Sequence, residues 1–393
     1  MAGRKRKPLH LVTGASGFCG SFVVRELLAR GDRVVGTDLP GPLSDPKHRE
    51  VLRSTGLELD HPSLELVPAD LLDEESVRGL FDRPITHVFH TASLYDYSAP
   101  LERLQRINVE GTDNLLAAAV NANLERFVHW STCGVFGKPY TAAQGGKVNI
   151  PFTEESSSPR NTPFGQEAPE GTHLVNAYSV SKWEQEQHVW RAHREQGLPV
   201  TVVRPAPMYG PGSAYGHGGI ILAIAQGLLP TLPLDAKNYI TTSVHVLDMA
   251  RFALFVADRP ETLGEDYNVV DNSVISYYEF LEYIALLTGR RMRTLRFVRL
   301  ERVRPVFEVA ATAWTWLSER LGIPRVRVFE AQSAGYVSSS YWLDNRKSLA
   351  AGFDYRYPDV KEGLKDTIAW FRTMGWLTDR SYLMTTGAAT KPA

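Results

Sequence analysis

The stretch Val12-Thr13-Gly14-Ala15-Ser16-Gly17-Phe18-Cys19-Gly20 restricts this chain more than any other part of it. Leu9 to Val12 reads as a short buried strand and Phe18 to Ala29 as a helix, so the glycines occupy the turn between them. Glycine lets the backbone turn tightly and lets a diphosphate approach with no Cβ in the way. The following helix offers its free N–H groups and partial positive charge to the same phosphates. The spacing differs from G-x-G-x-x-G, but the physics is shared. Arg33 to Thr37 reads as a second strand ending at Asp38, about two dozen residues beyond Gly14. A carboxylate there accepts hydrogen bonds from both hydroxyls of an adenosine ribose and repels a 2′-phosphate, which favours NAD over NADP.

A second motif answers the first. Tyr178-Ser179-Val180-Ser181-Lys182 lies in a helical stretch before the strand-like Val200 to Arg204. Residues four apart share a helix face, so Tyr178 and Lys182 point toward one site. A tyrosine has an ordinary pKa near 10 and is a poor base at neutral pH. A neighbouring ammonium stabilises its phenolate. That phenolate can take the proton of a substrate hydroxyl as hydride leaves, or return it to a carbonyl in reverse. A hydroxyl to hold the substrate oxygen is available in Trp130-Ser131-Thr132, after another strand. By chemistry alone, both Ser131 and Thr132 qualify.

From residue 9 to about 205, strand-like and helix-like stretches alternate, which predicts a parallel sheet covered on both faces. The formal net charge is −1, so the chain as a whole carries no nucleic-acid footprint. The two cysteines, Cys19 and Cys133, fit no disulfide framework or metal site and read as reduced fillers. The basic Arg4-Lys5-Arg6-Lys7 runs straight into the first strand without a secretory pattern. No apolar run approaches the roughly 18 residues that span a bilayer. A cytosolic setting is expected. Residues 138–176 have little periodicity, and a segment of that length is expected to be functional or disordered. The tail, 380–393, is small and polar and is expected to be disordered.

Arg290, Arg291, Arg293, Arg296, Arg299, Arg302 and Arg304 precede an amphipathic helical stretch, Val306 to Leu321, that carries Trp314 and Trp316. A basic flank beside such a helix predicts peripheral contact with an anionic membrane through 290–321. The alternative is a cap helix packed on the core behind a solvated basic strand.

Taken together, these residues resemble the extended short-chain dehydrogenase/reductase family over roughly residues 8–375. The pieces are Thr13-Gly14-x-x-Gly17-x-x-Gly20, Ala69-Asp70, His90-Thr91-Ala92-Ser93, Asn108-Val109-Glu110-Gly111-Thr112, Ser131-Thr132 through Gly137, Tyr178 through Lys182, Arg204-Pro205, Tyr209-Gly210-Pro211-Gly212 and Val244 to Ala250, in family order. The resemblance implies an α/β fold: a Rossmann-type doubly wound parallel sheet with a smaller, discontinuous C-terminal substrate-binding domain. It places the NAD domain at 1–205 with a return segment at about 241–270, and the substrate domain at 206–240 and 271–379. It implies Thr132, Tyr178 and Lys182 as the catalytic set. It implies NAD contacts from Gly14, Ser16, Gly17, Phe18, Asp38, Asp70, Leu71, Thr91, Ala92, Ser93, Asn108 and Pro205 as well as Tyr178 and Lys182, with no metal.

Within that family, sugar-nucleotide enzymes usually carry an asparagine three residues after the arginine of Arg-Pro. Here that position is Pro207, which has no amide group to offer. The chain is thus similar to the 3β-hydroxysteroid and sterol dehydrogenase branch, including enzymes of 4-carboxysterols. The implied partner is a small apolar sterol or steroid, and a homodimer is compatible with it. A nucleotide-sugar epimerase or dehydratase, using the same NAD, tyrosine and lysine, is the alternative. The segment from Gly137 to Tyr178 is longer than the family usually has.

Overall fold

The computed structural model describes residues 8–137, 150–156, 158–169, 174–322, 340–382 and 384. Arg4–Lys7, most of the expected tail and part of 138–176 lie outside the described residues. Seven strands form one sheet: β1 (Leu9–Thr13), β2 (Arg33–Asp38), β3 (Leu64–Pro68), β4 (His87–His90), β5 (Arg126–Trp130), β6 (Val200–Pro205) and β7 (Asp266–Val269). They run in the order β7-β6-β5-β4-β1-β2-β3. Every pairing is parallel. The order reverses between β1 and β4, and at such a point the crevice at the carboxyl ends of the strands receives ligands.

Both faces of the sheet are covered, so β1, β4, β5 and β6 are buried along their whole length. Among the helices are α1 (Phe18–Ala29), α2 (Glu74–Leu80), α3 (Gly111–Val120), α4 (Ala177–Gln196), α5 (His217–Ala225), α6 (Val246–Ala257), α7 (Tyr277–Leu287), α8 (Leu300–Leu321) and α9 (Val360–Thr373). Val12, Val34 and Val128 face one cluster, into which α1 sends Phe22 and Val23 and α6 sends Met249 and Phe252. Leu11, Val35 and Phe127 face the other, with Val77 of α2, Leu115 of α3 and Trp190 of α4. The alternation of adjacent strand residues between the clusters is the period-two pattern of a sheet. A further cluster joins Leu222 of α5, Phe280 and Ile284 of α7, and Leu364 and Phe371 of α9. Tyr341, Leu343, Phe353 and Tyr355 instead pack with the sheet.

The described part of the 138–176 segment covers the sheet's edge. Glu154 accepts the Asn268 amide, Asn268 donates to the Phe152 carbonyl, and Arg160 pairs with Asp266. An open β7 would otherwise present unpaired backbone groups. The helix expected at Val306 begins at Leu300 and carries Pro305 within it, at the loss of a single ladder bond. The basic stretch is therefore split: Arg293–Leu295 pairs with Thr231–Pro233, and Arg302 and Arg304 sit on α8. In addition, Leu101–Leu104 continues into α3 through a π turn, Gln105–Glu110, which the sequence did not announce.

Candidate functional site

The glycine turn is as tight as its sequence requires. Gly14 has φ +68°, and a Cβ on Gly20 would lie 2.1 Å from the Gly14 carbonyl oxygen. Any side chain there would push α1 off β1. Gly17 caps α1 with no side-chain hydrogen bond, so its first-turn amides are left for a ligand. Asp38 closes β2 beside this turn and accepts Ser16 Oγ at 2.6 Å, the Ser16 amide at 3.0 Å and the Leu39 amide at 2.8 Å.

A cavity of about 880 Å³ runs along the carboxyl ends of the strands. Gly14, Gly17, Phe18 and Asp38 line one end. Asp70, Leu71, Thr91, Ala92, Ser93, Thr132, Tyr178, Lys182 and Pro205 continue the wall. Asp70 is exposed and also accepts the Leu72 amide at 2.9 Å. Two expected residues are not on the wall. Ser16 is buried and engaged with Asp38. Asn108, in the π turn, accepts the Leu94 amide at 2.6 Å and donates to the Leu94 carbonyl and to Ser181 Oγ. It clamps the loop after β4 to α4.

Helix α4 starts at Asn176, whose side chain accepts the Ser179 amide at 2.9 Å, and ends at Gly197, φ +72°. Between those caps the four-residue spacing brings Tyr178 and Lys182 to the cavity. Lys182 is buried; its Nζ donates to the Trp130 carbonyl at 2.8 Å and to Gln185 Oε1. Burial pushes its ammonium down to about 7, against the opposing pull of Glu186. Behind it a closed polar chain continues. Gln185 Nε2 donates to Thr112 Oγ1, which itself donates to the Asn108 carbonyl. Thr112 therefore accepts from His90 Nε2–H, leaving His90 Nδ1 to accept from Thr13 Oγ1. This fixes a neutral His90, in keeping with burial and then Lys182 driving it down to about 3.

Both hydroxyl candidates line the cavity, and their hydrogen bonds separate them. Ser131 Oγ is buried and donates to Glu186. Thr132 caps the turn Cys133–Phe136, its Oγ1 accepting the Gly134 amide at 3.1 Å, and lies on the wall. Gly134 has no room for a side chain, because a Cβ would meet Ser179 Oγ at 2.9 Å. Glu186 also accepts Trp190 Nε1 and both Nε and Nη2 of Arg204, and Arg204 pairs with Asp266. This fully buried network ties α4 to β6 and β7. Burial raises both thiols, Cys19 and Cys133, to about 12, away from the thiolate that a nucleophile needs.

Sequence reasoning missed the aromatic wall. Tyr95 and Tyr97 lie 4.9 and 5.7 Å from the Tyr178 ring, and Tyr215 lies 4.6 Å from Tyr95. Tyr95 Oη donates to Tyr97 Oη at 3.0 Å. The alternation Tyr95-x-Tyr97 directly after the Thr91-Ala92-Ser93 motif was the available signal. Beyond these rings the wall is mostly apolar, with Met208, Ile220, Leu281, Met292 and Phe307, and carries His217, Thr231, Thr241 and Arg304 among them.

A doubly wound parallel sheet with a glycine turn, a β2 acid and a Tyr-x-x-x-Lys helix at one cavity defines a dinucleotide-dependent enzyme. The family of NAD dependent epimerases and dehydratases matches residues 10–269, and the chain belongs to it. It is 25% identical to a 3-beta-hydroxysteroid dehydrogenase of Mycolicibacterium neoaurum, across 80% of this chain and 78% of that one. It is 28% identical to tetraketide alpha-pyrone reductase 1 of Arabidopsis thaliana, across 76% and 87%. The UDP-glucose 4-epimerase of Thermus thermophilus, solved in complex with NAD, superposes with TM-score 0.62 at 22% identity, across 93% and 99%. NAD is the cofactor. The glycine cradle, which a Cβ would fill, and the uncapped start of α1 fit it.

Proposed function

We propose that this chain is an NAD-dependent dehydrogenase that oxidises the 3β-hydroxyl of a steroid or sterol, with Tyr178 as base. The observation that carries the reading is the mostly apolar lining of the cavity beyond Tyr178, which suits a fused-ring hydrocarbon. Pro207, also on that wall, supports it. Gly14, Gly17 and the start of α1 receive the diphosphate, and Asp38 the adenosine ribose. Asp70 and Leu71 take the adenine side, and Thr91, Ala92, Ser93 and Pro205 the groove between.

When bound, NAD supplies the ring carbon that accepts the hydride. The chain's own residues handle the proton. Thr132 Oγ1 holds the substrate oxygen, and Tyr178 takes its proton as the C–H pair leaves. Lys182 keeps the phenolate favourable. The tyrosine wall excludes water. Where the substrate carries a 4-carboxylate, the new 3-ketone accepts the electron pair as CO2 departs. Peripheral membrane contact through 290–321 belongs to the same reading, because such a substrate resides in lipid.

Absorbance of NADH tests the reading. Mixed with NAD and a 3β-hydroxysteroid, the protein should accumulate NADH, and with UDP-glucose it should not. No NADH from the steroid, with UDP-glucose converted to its 4-epimer without net NADH, would place it among the epimerases.

A further inference from the structure

Helix α8 has two apolar stripes, and only one of them faces the protein. Leu300, Val303, Arg304 and Phe307 line the cavity, and Ala311 and Ser318 continue that inner face as buried residues. On the other side Val306, Val309, Ala313 and Trp316 recur at steps of three and four. A helix with one wet face normally carries polar residues there. Here Val306 is 71%, Val309 72% and Trp316 60% exposed. The turn that leads into α8 adds Phe297, 96% exposed, between Arg296 and Arg299.

The charges around these residues are mostly positive, with the acids Glu301 and Glu308 on the helix beside them. Arg291, Arg293, Arg296 and Arg302 are exposed and make no ion pair among the described residues. Arg299 and Arg304 are held by Asp235 and Glu308. Arg320 stands 5.4 Å from the Trp316 ring centroid, so a cation accompanies the outermost ring. An apolar stripe with a fully exposed phenylalanine and a rim of arginines is complementary to an anionic lipid surface, not to water. No helix among the described residues is long and apolar enough to cross a membrane, so the contact is with one leaflet.

We propose that the Arg291–Arg302 corner and the outer stripe of α8 dock on an anionic bilayer, with Phe297 and Trp316 at headgroup depth. The same elements carry Met292, Leu300, Val303 and Phe307 on the cavity side, so docking places the apolar arm one helix's width from the lipid. This deepens the sterol reading and rests on it: the enzyme works where an apolar substrate resides.

Co-sedimentation of the full chain with phosphatidylglycerol/phosphatidylcholine vesicles tests the proposal. The protein should pellet at about 0.05 M salt and be released at about 0.5 M, where the screening length falls to a few ångströms. Pure phosphatidylcholine should not pellet it. Arg296→Gln should weaken binding about fivefold, the factor equivalent to about 1 kcal/mol per basic residue near an anionic leaflet. Phe297→Ser/Trp316→Ser should abolish pelleting while turnover of a soluble hydroxysteroid is unchanged, because neither residue lines the cavity. That turnover arm reports separately on the dehydrogenase reading. Failure of the wild type to pellet at low salt overturns the proposal, as does equal pelleting by all three proteins. A dimer that the double substitution splits, without vesicle binding, would make the face a contact between copies and also overturn it.

Discussion

Glu186→Gln is a one-atom change with a calculable consequence. The carboxylate is fully buried and accepts only from donors: Ser131 Oγ, Trp190 Nε1 at 2.9 Å, and Arg204 Nε and Nη2 at 3.1 and 2.5 Å. Glutamine keeps the volume but turns one acceptor into an NH2 that faces these donors. It also leaves the Arg204 guanidinium with Asp266 as its sole carboxylate partner. Removing one member of a buried ion pair costs about 3–5 kcal/mol. Because Asp266 remains, the lower end, about 3 kcal/mol, is expected. Urea unfolding measures it as a lower midpoint at unchanged slope. Glu186→Gln/Arg204→Met should recover part of the loss, since Asp266 still has Arg160 and Lys347. A single-variant change under about 0.5 kcal/mol, the range of ordinary surface substitutions, would refute the account of how α4 is anchored.

Tyr178→Phe should lower turnover at least about a hundredfold, the low end for a general acid–base group. NAD titration calorimetry should be unchanged, and near-normal turnover would remove Tyr178 as the base. Because of Asp38, calorimetry should find NAD binding tighter than NADP, and equal or tighter NADP would deny that residue its role. Lys182 gives a pH signature without cofactor. Its folded value, about 7, lies below the ordinary 10.5, so between those values the unfolded chain holds the extra proton. The cost of burying this lysine is therefore full below about pH 7 and fades as pH rises toward 10.5. The melting temperature of Lys182→Met should exceed that of the wild type most at pH 6.5 and progressively less toward pH 9.5, and a constant gap would contradict the burial argument.

Local chemistry was legible in the sequence. The strand–glycine–helix unit, Asp38 at the end of β2 and the Tyr178–Lys182 spacing each depend on neighbours within a few residues, and each falls on the cavity wall. What was not legible depends on distant segments. The tyrosine wall joins the loop after β4 to the turn before α5, so no single window contains it. Asn108 has the family's position, but the π turn and Ser181 decide where its amide goes. Ser131 and Thr132 are chemically alike, and only Glu186, from another helix, tells them apart. The edge cover at 150–162 reads as loop because its partners are the backbone and acids of β7. The helix expected from Val306 starts at Leu300 because Leu300 and Val303 line a cavity built by distant segments.

The central claim is hydride removal from the carbon that carries the 3β-hydroxyl. A steroid deuterated at that carbon tests it directly, with the cofactor analysed by mass spectrometry after reaction. The account predicts one deuterium in the reduced cofactor and a 3-ketone as product, with both lost in Tyr178→Phe. Deuterium that stays on the steroid, or a reduced cofactor of unlabelled mass, would contradict it.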